Sequence, residues 1–429
     1  MTHQHIVILG AGPCGLGAAL QLKKRGVTAF HVYEADNHVG GLSSSVTDAK
    51  GFTWDIGGHV FHARDKRMHD VFRELLGNNS VSYTRNARVL IGSQMVPYPF
   101  QYSVSLLPEK IKQACVTGLQ QAKIHMTPVS FSDWILKNFG SGMAKYFFFP
   151  YNKKVWRHPL TGMSWQWIDD RVATAHEKNK GTSWGRNANF SVPQSGGIGT
   201  LWLAMGKQVS RYISTNKRAV AIDVKKQIVT FQDGSMVQYD HLLSTVSLKS
   251  LTGMIQGVPL PSVARLRSVG VYVVGIGMRG AVPDQYKNLH WVYVPSPNIP
   301  FFRVSVYSNY GEYNAPKGTW SLLFEVSYDG KKKLDADVCI QEVIQRAKEI
   351  QCIPKGADII DTFFTSAPLA YPVPTIGRDA ILSNILPKLG TYNINSLGRF
   401  GLWKYETGNM DHVCLQGMEW ADAICTGGL

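Results

Sequence analysis

The stretch His5-Ile6-Val7-Ile8-Leu9-Gly10-Ala11-Gly12-Pro13-Cys14-Gly15-Leu16-Gly17-Ala18-Ala19 constrains this chain more than any other. An apolar run of strand length meets a glycine turn, and a helix start built of small residues follows. Gly10 permits the tight turn, Gly12 lets a backbone approach a pyrophosphate, and Gly15 allows close helix–strand packing, with Pro13 in the turn between them. Residues Ala18 to Lys24 read as the helix and Ala29 to Tyr33 as a second strand. Glu34 ends that strand, placed to accept from a ribose hydroxyl. Free N–H groups and the dipole at the helix start favour negative charge. Strand, turn, helix, strand and acid together predict a bound dinucleotide.

Two further glycine segments follow closely. Val39-Gly40-Gly41-Leu42-Ser43-Ser44 is a glycine-hydroxyl loop, and Ile56-Gly57-Gly58-His59-Val60-Phe61 is another segment suited to close approach. Backbone laid repeatedly along one ligand suits FAD bound lengthwise better than NAD. Near the end, Gly398-Arg399-Phe400-Gly401 through Asn409-Met410 precedes a helix from about Val413 to Ala423, again placing glycines and polar groups before a helix N-terminus.

With 429 residues the chain is long enough for about two or three domains. The formal net charge is +15, with basic residues scattered except for Lys331-Lys332-Lys333. Scatter argues against nucleic acid and leaves an anionic cofactor and substrate or a merely solvated basic surface. The six cysteines form no CxxC and no metal-ligand spacing, so reduced thiols and a cytoplasmic location are expected, without a metal. Apolar runs such as Val269 to Met278 are too short to span a bilayer, and the chain enters its first strand too early for a signal peptide.

Between the nucleotide segments, Met68 to Leu76, Leu106 to Leu119 and Phe131 to Phe139 have helical spacing. Pro150-Tyr151-Asn152-Lys153-Lys154-Val155-Trp156 is expected to break the helices. Val96-Pro97-Tyr98-Pro99-Phe100-Gln101 is held extended by its prolines; Tyr98 and Phe100 are either core aromatics or a base-stacking surface. Lys217 to Val224, Ile228 to Phe231 and Met236 to Leu243 read as strands joined by the Asp233-Gly234 hairpin signal, and Tyr239 to Thr245 resembles the strand that returns to the first sheet in flavoproteins. Residues 268 to 330 alternate as an antiparallel sheet, with Phe301, Arg303, Ser305 and Tyr307 sharing a face. A buried arginine there needs an anion; no carboxylate lies nearby in sequence, although a distant one could fold against it.

These readings give an α/β fold: a discontinuous Rossmann-like FAD-binding domain with an inserted helical domain and an antiparallel sheet domain. The expected boundaries are 1–80, 191–248 and 377–429 for the FAD-binding parts, 81–99 and 249–376 for the sheet, and 100–190 for the helical insertion.

Several segments in this order resemble UDP-galactopyranose mutase, most closely its eukaryotic-type branch: GGHVF (57 to 61), VPYPFQ (96 to 101), PYNKKVW (150 to 156), the turn at Asp170-Arg171, WGRNANF (184 to 190), RVSVYSNYGEYN (303 to 314), YPVPT (371 to 375) and GRFGLWKYETGNMDH (398 to 412). The opening alone resembles the wider flavoprotein superfamily of amine oxidases. The mutase resemblance implies interconversion of UDP-galactopyranose and UDP-galactofuranose through a covalent flavin N5–sugar adduct. The resemblance further implies that reduced FAD is required, that there is no net redox change, and that the product would serve glycan or cell-wall assembly. It implies that Tyr98, Phe100, Gln101, Tyr151, Asn152 and Trp156 hold uracil and ribose, and that Arg303, Tyr293, Tyr371 and Tyr405 bind the diphosphate, with Trp291 and Tyr310 on the same strands. Arg171 and Asn187 would sit on mobile flaps, and Arg399, Asn409 and His59 would border flavin and galactose. Arg303, Arg399, His59 and Arg171 are the implied catalytic set. Gly10, Gly12, Pro13, Gly15, Glu34, Gly41, Leu42, Ser43, Gly57, Gly58, Val220, Gly398 and Met410 are the implied cofactor contacts. NADPH or NADH is an implied external reductant, although Val413 stands where the branch has a small hydroxyl residue. A mutase for an N-acetylated or deoxy sugar, an amine-oxidase-type oxidoreductase, and a homo-oligomer remain open on these grounds.

Overall fold

The computed structural model describes residues 5–62, 65–168, 172, 174, 188–330 and 334–427. The chain begins with β1 (Ile6–Leu9), α1 (Pro13–Lys24), β2 (Phe30–Tyr33), β3 (Ser45–Thr47), β4 (Thr53–Asp55) and α2 (Lys66–Leu76). It continues with β5 (Ser80–Thr84), β6 (Ala87–Ile91), β7 (Gln94–Pro97), α3 (Glu109–Gln120), α4 (Phe131–Met143), α5 (Phe149–Trp156), β8 (Asn189–Pro193) and α6 (Gly199–Gln208). Short strands β9 (Ile213–Ser214), β10 (Ala219–Asp223), β11 (Ile228–Phe231), β12 (Met236–Gln238) and β13 (His241–Ser244) precede α7 (Leu248–Met254) and β14 (Ile255–Gln256). Then come β15 (Arg267–Arg279), β16 (Trp291–Tyr293), β17 (Arg303–Val306), β18 (Thr319–Tyr328), α8 (Ala336–Glu349), β19 (Ile359–Val373), α9 (Arg378–Gly390), β20 (Ile394–Ser396) and α10 (Met410–Thr426).

The first strand is buried along its whole length, as an inner parallel strand should be. It lies at the centre of a parallel sheet ordered β20-β13-β1-β2-β9. Its Ile6 and Ile8 pack with α1, α6 and α10, whereas Val7 and Leu9 face the core beneath α7, α9 and the β10–β12 meander. Helix α1 starts at Pro13, earlier than the periodicity suggests, because a first-turn proline lacks only an N–H that would be unpaired anyway. The strand expected over Met236 to Leu243 is divided: β12 joins the meander, whereas β13 lies within the Tyr239 to Thr245 segment expected to return to the parallel sheet and does so. Asp240 marks the break, its carboxylate accepting the His5 N–H at 2.6 Å.

The second layer is a seven-stranded sheet ordered β19-β15-β18-β17-β16-β6-β7. One face packs on α8; the other packs on α3 to α5, burying Phe100, Phe131, Phe139, Phe147 and Phe148. The segment expected to break the helices is itself α5, which runs on directly from a π-helical turn over Ala144–Phe148 and carries Pro150 as its second residue. The presumed common face of residues 301 to 307 also divides. Phe301 precedes the strand and packs on Phe324 in the α8-side core, while Tyr307 belongs to the opposite one. The triple lysine at 331–333 lies outside the described residues. Among the described residues, no helix is long and apolar enough to cross a membrane.

Glycines let the first and last helices touch. A Cβ on Gly417 of α10 would lie 2.0 Å from the Cys14 carbonyl oxygen of α1, and one on Gly17 would lie 2.3 Å from the Cys414 carbonyl oxygen. Neither backbone can yield without opening the sheet cover. Gly417→Ala should therefore cost about 1–3 kcal/mol of stability, measured by denaturant unfolding; an unchanged midpoint would refute this packing.

Candidate functional site

Two cavities meet between the layers. The first, about 310 Å³, follows the glycine turn and is lined by Gly10, Gly12, Pro13, Glu34, Gly41, Leu42, Ser43, Thr245 and Gly398. Gly10 has a left-handed φ of 101°, and a Cβ there would strike the Thr245 hydroxyl. A Cβ on Gly12 would meet nothing within 4 Å, so the space beside the α1 N-terminus is open. Gly15 instead serves packing: its Cβ would lie 1.9 Å from the Gly10 carbonyl oxygen. Glu34 is tied into the turn, accepting from the Ala11 and Asp36 N–H groups at 2.6 and 2.9 Å. An open helix N-terminus, an acid one strand over and a groove between them fit a dinucleotide. Val220, expected among the cofactor contacts, is 45% exposed at a bulge of β10 and does not line the groove, whereas its neighbours Lys217, Arg218 and Ala219 do.

The second cavity, about 320 Å³, opens from the far end of the groove, and both are lined by Leu42, His59, Arg399 and Met410. The shared residues mark where the ring end of a flavin dinucleotide would face a second ligand. Gly57, Gly58, Tyr98, Gln101, Tyr151, Asn152, Trp156, Trp291, Tyr293, Arg303, Tyr371, Tyr405 and Asn409 line it. Rings interlock around it: Tyr98 on Tyr293 at 4.9 Å, Tyr151 on Tyr293 at 5.4 Å, and Trp156 on Tyr405 at 4.9 Å. Burial raises the phenols of Tyr98, Tyr151, Tyr293 and Tyr371 above the ordinary tyrosine range, so each stays a neutral O–H donor. Asn152 accepts from the Trp156 indole N–H at 3.2 Å and donates to the Phe148 carbonyl, so its amide orients the indole.

Two expected ligand residues do not line the cavity. Phe100 is fully buried against Phe147, because the chain turns into a 3₁₀ segment immediately after Pro99 instead of staying extended. Tyr310 lies behind Arg303, its hydroxyl donating to Ser305 at 3.2 Å. Arg171 and Asn187 lie outside the described residues. Conversely, Arg85, Trp167 and Glu325 line the cavity without having been singled out. Arg85 stacks over the Tyr98 ring at 5.0 Å, a cation–π contact that sequence spacing does not announce.

Arg303 does find a distant carboxylate. Its Nε and Nη2 donate to the two oxygens of Glu325, the Nη2 bond at 2.8 Å, and Nη2 also reaches the Gly58 carbonyl at 3.2 Å. The two residues are direct cross-strand partners, and Tyr293 pairs Arg303 from its other side. Arg399 is held differently, donating to the Gly408 and Ala370 carbonyls at 2.9 and 3.1 Å. Between the arginines His59 is neutral: burial first, then Arg399 and Arg303, lower it to about 3. Its Nε2 lies 3.0 Å from the Ile56 carbonyl, which requires the proton on that nitrogen. The loop carrying His59 is anchored by Asp55. That buried carboxyl accepts from Ser45 Oγ at 2.5 Å and the Ile198 N–H at 3.1 Å, and burial pushes it up to about 7.

Arg303→Ala should cost on the order of 3 kcal/mol by stranding Glu325, and adding Glu325→Gln should recover at least half of that in denaturant unfolding. Asp55 holds its proton more tightly folded than unfolded, so it contributes stability at acid pH that is lost as pH rises from 3.8 to about 7. Asp55→Asn should gain on wild type between pH 5 and pH 7, by at most about 1.4 kcal/mol per pH unit.

The sequence profile of flavin containing amine oxidoreductases matches residues 13–382. A solved structure described as reduced UDP-galactopyranose mutase superposes with a TM-score of 0.94 at 35% identity, over 99% of this chain and 94% of that one. Putrescine oxidase (TM-score 0.71, 17% identity, 99% of each chain) and cyclohexylamine oxidase from Brevibacterium oxydans (0.69, 14%, 99% of each) share the fold. The chain therefore belongs to the flavin containing amine oxidoreductases and, within them, to the UDP-galactopyranose mutase family.

Proposed function

We propose that this protein interconverts UDP-galactopyranose and UDP-galactofuranose with no net redox change. The observation that carries the proposal is the continuity of a dinucleotide groove with an aromatic, arginine-bearing cavity through His59, Arg399 and Met410. FAD fits the groove lengthwise, and the chemistry a reduced flavin supplies when bound is a nucleophilic N5 for the anomeric carbon.

The chain's own residues bind, orient and exclude water. Tyr98, Tyr151 and Trp156, with the Gln101 amide, present ring faces and a polar edge suited to uracil. Arg303 is aimed by Glu325 with Nε and Nη2 engaged, which directs the remaining Nη1 edge to a diphosphate. The neutral phenols of Tyr293 and Tyr371 add donors without adding charge. Arg399 and Asn409 flank the sugar end, so positive charge faces the oxygen that leaves with UDP when the C1–O bond breaks. Neutral His59 keeps an imidazole Nδ1 lone pair there, with no third positive charge between the arginines. Arg171 and Asn187, assigned to flaps by resemblance, complete the proposed set.

Product analysis with UDP-galactofuranose under dithionite tests the reaction. Conversion to the pyranose supports it; amine oxidation with peroxide release and no conversion overturns it. Running the N-acetylated and deoxy analogues in parallel identifies the sugar. Anaerobic mixing with NADPH or NADH tests the reductant by bleaching of the oxidised flavin band. Arg399→Ala should lower turnover by about 10²–10³-fold while the protein remains folded and yellow. Tyr98→Ala should weaken UDP binding by about 1–3 kcal/mol, read by titration.

A further inference from the structure

We propose that Lys154 is a positioning residue that sets the spacing between the uracil side and the diphosphate side of the cavity. This rests on the reading of the cavity as a UDP-sugar site. Lys154 lies on α5 between Asn152 and Trp156, yet it does not line the cavity and the residue is only 7% exposed. Its Nζ donates to the carbonyls of Val294 and Phe301, at 2.7 and 2.9 Å.

Those acceptors sit at the neck of the β16–β17 hairpin. Val294 directly follows Tyr293, and Phe301 lies two residues before Arg303, which pairs with Tyr293 in the ladder. The Val294 N–H closes the neck by donating to the Phe302 carbonyl at 2.9 Å. One lysine thus ties together both ends of the loop whose stems carry Tyr293 and Arg303. It hangs them from the helix that carries Tyr151 and Trp156. One turn on, Arg157 fastens the same helix end to β18 through the Ser327 carbonyl at 2.9 Å.

A buried ammonium ordinarily meets a carboxylate; here it donates to two main-chain carbonyls. Burial, with Arg157 adding to it, lowers the ammonium to about 7. A neutral amine still carries two N–H bonds, so the clamp survives loss of the proton. The arrangement fixes distance rather than supplying charge to a ligand.

The test is Lys154→Met, which keeps the stem volume and removes the donors, in the flavin-loaded full-length protein. UDP affinity by calorimetry should fall about tenfold and KM for UDP-galactofuranose should rise in parallel, with kcat within threefold of wild type. A folded, yellow variant with UDP affinity and KM within twofold of wild type overturns the inference, as does a fall in kcat alone. Should Lys154→Met not be recovered folded, Lys154→Gln, a shorter donor, is read the same way: KM up at least threefold with kcat held supports the inference, and both within twofold overturns it. Wild-type protein that neither binds UDP nor converts the sugar would sink the functional reading instead, so the two failures are separable.

Discussion

The cross-strand pairing of Arg303 with Glu325 is the contact on which the rest of the site depends. Glu325 is almost wholly buried and Arg303 is partly buried, its side chain 19% exposed, so the carboxylate would be costly if left alone. Bonded edge to edge, the carboxylate satisfies the buried side of the guanidinium and leaves its other side to the cavity. The same guanidinium reaches the carbonyl of Gly58, in the loop that leads from the first layer. One side chain therefore joins the antiparallel sheet to the nucleotide-binding layer at the place where the two cavities meet.

Close approach in this loop has a price elsewhere in the packing. A Cβ on Gly58 would collide with the Ser305 hydroxyl and the Arg303 guanidinium. Gly275 and Gly277 of β15 leave room for the Trp54 and Phe52 rings in the same way. These rings sit just ahead of Asp55, whose hydrogen bonds to Ser45 and Ile198 hold the His59 loop from behind. The His59 loop is thus located by contacts from both layers, with glycines leaving the room they need.

Much of the first layer was legible because its determinants are local. A four-residue apolar strand, a glycine turn that only glycine φ values allow, and an acid at the end of the next strand are all readable within thirty residues. The aromatic set was legible as a group but not member by member. Phe100 and Tyr98 are two residues apart between prolines, yet one enters the core and the other the cavity, because the 3₁₀ turn after Pro99 ends the alternation. Pro150 is a breaker by residue type alone, yet it sits inside a continuing helical run because a π-helical turn over Ala144–Phe148 directly precedes it.

By itself the sequence determined the dinucleotide turn, the alternation of sheet and helix, and the presence of arginines with no local counter-charge. The pairing register was decided by tertiary structure alone. Glu325 lies 22 residues from Arg303 and reaches it because two antiparallel strands place them opposite one another. Lys154 spans a still longer separation to the hairpin neck. A charge buried at one position selects its partner through the fold of the whole sheet, since desolvation is relieved only by a group that packing brings within bonding distance.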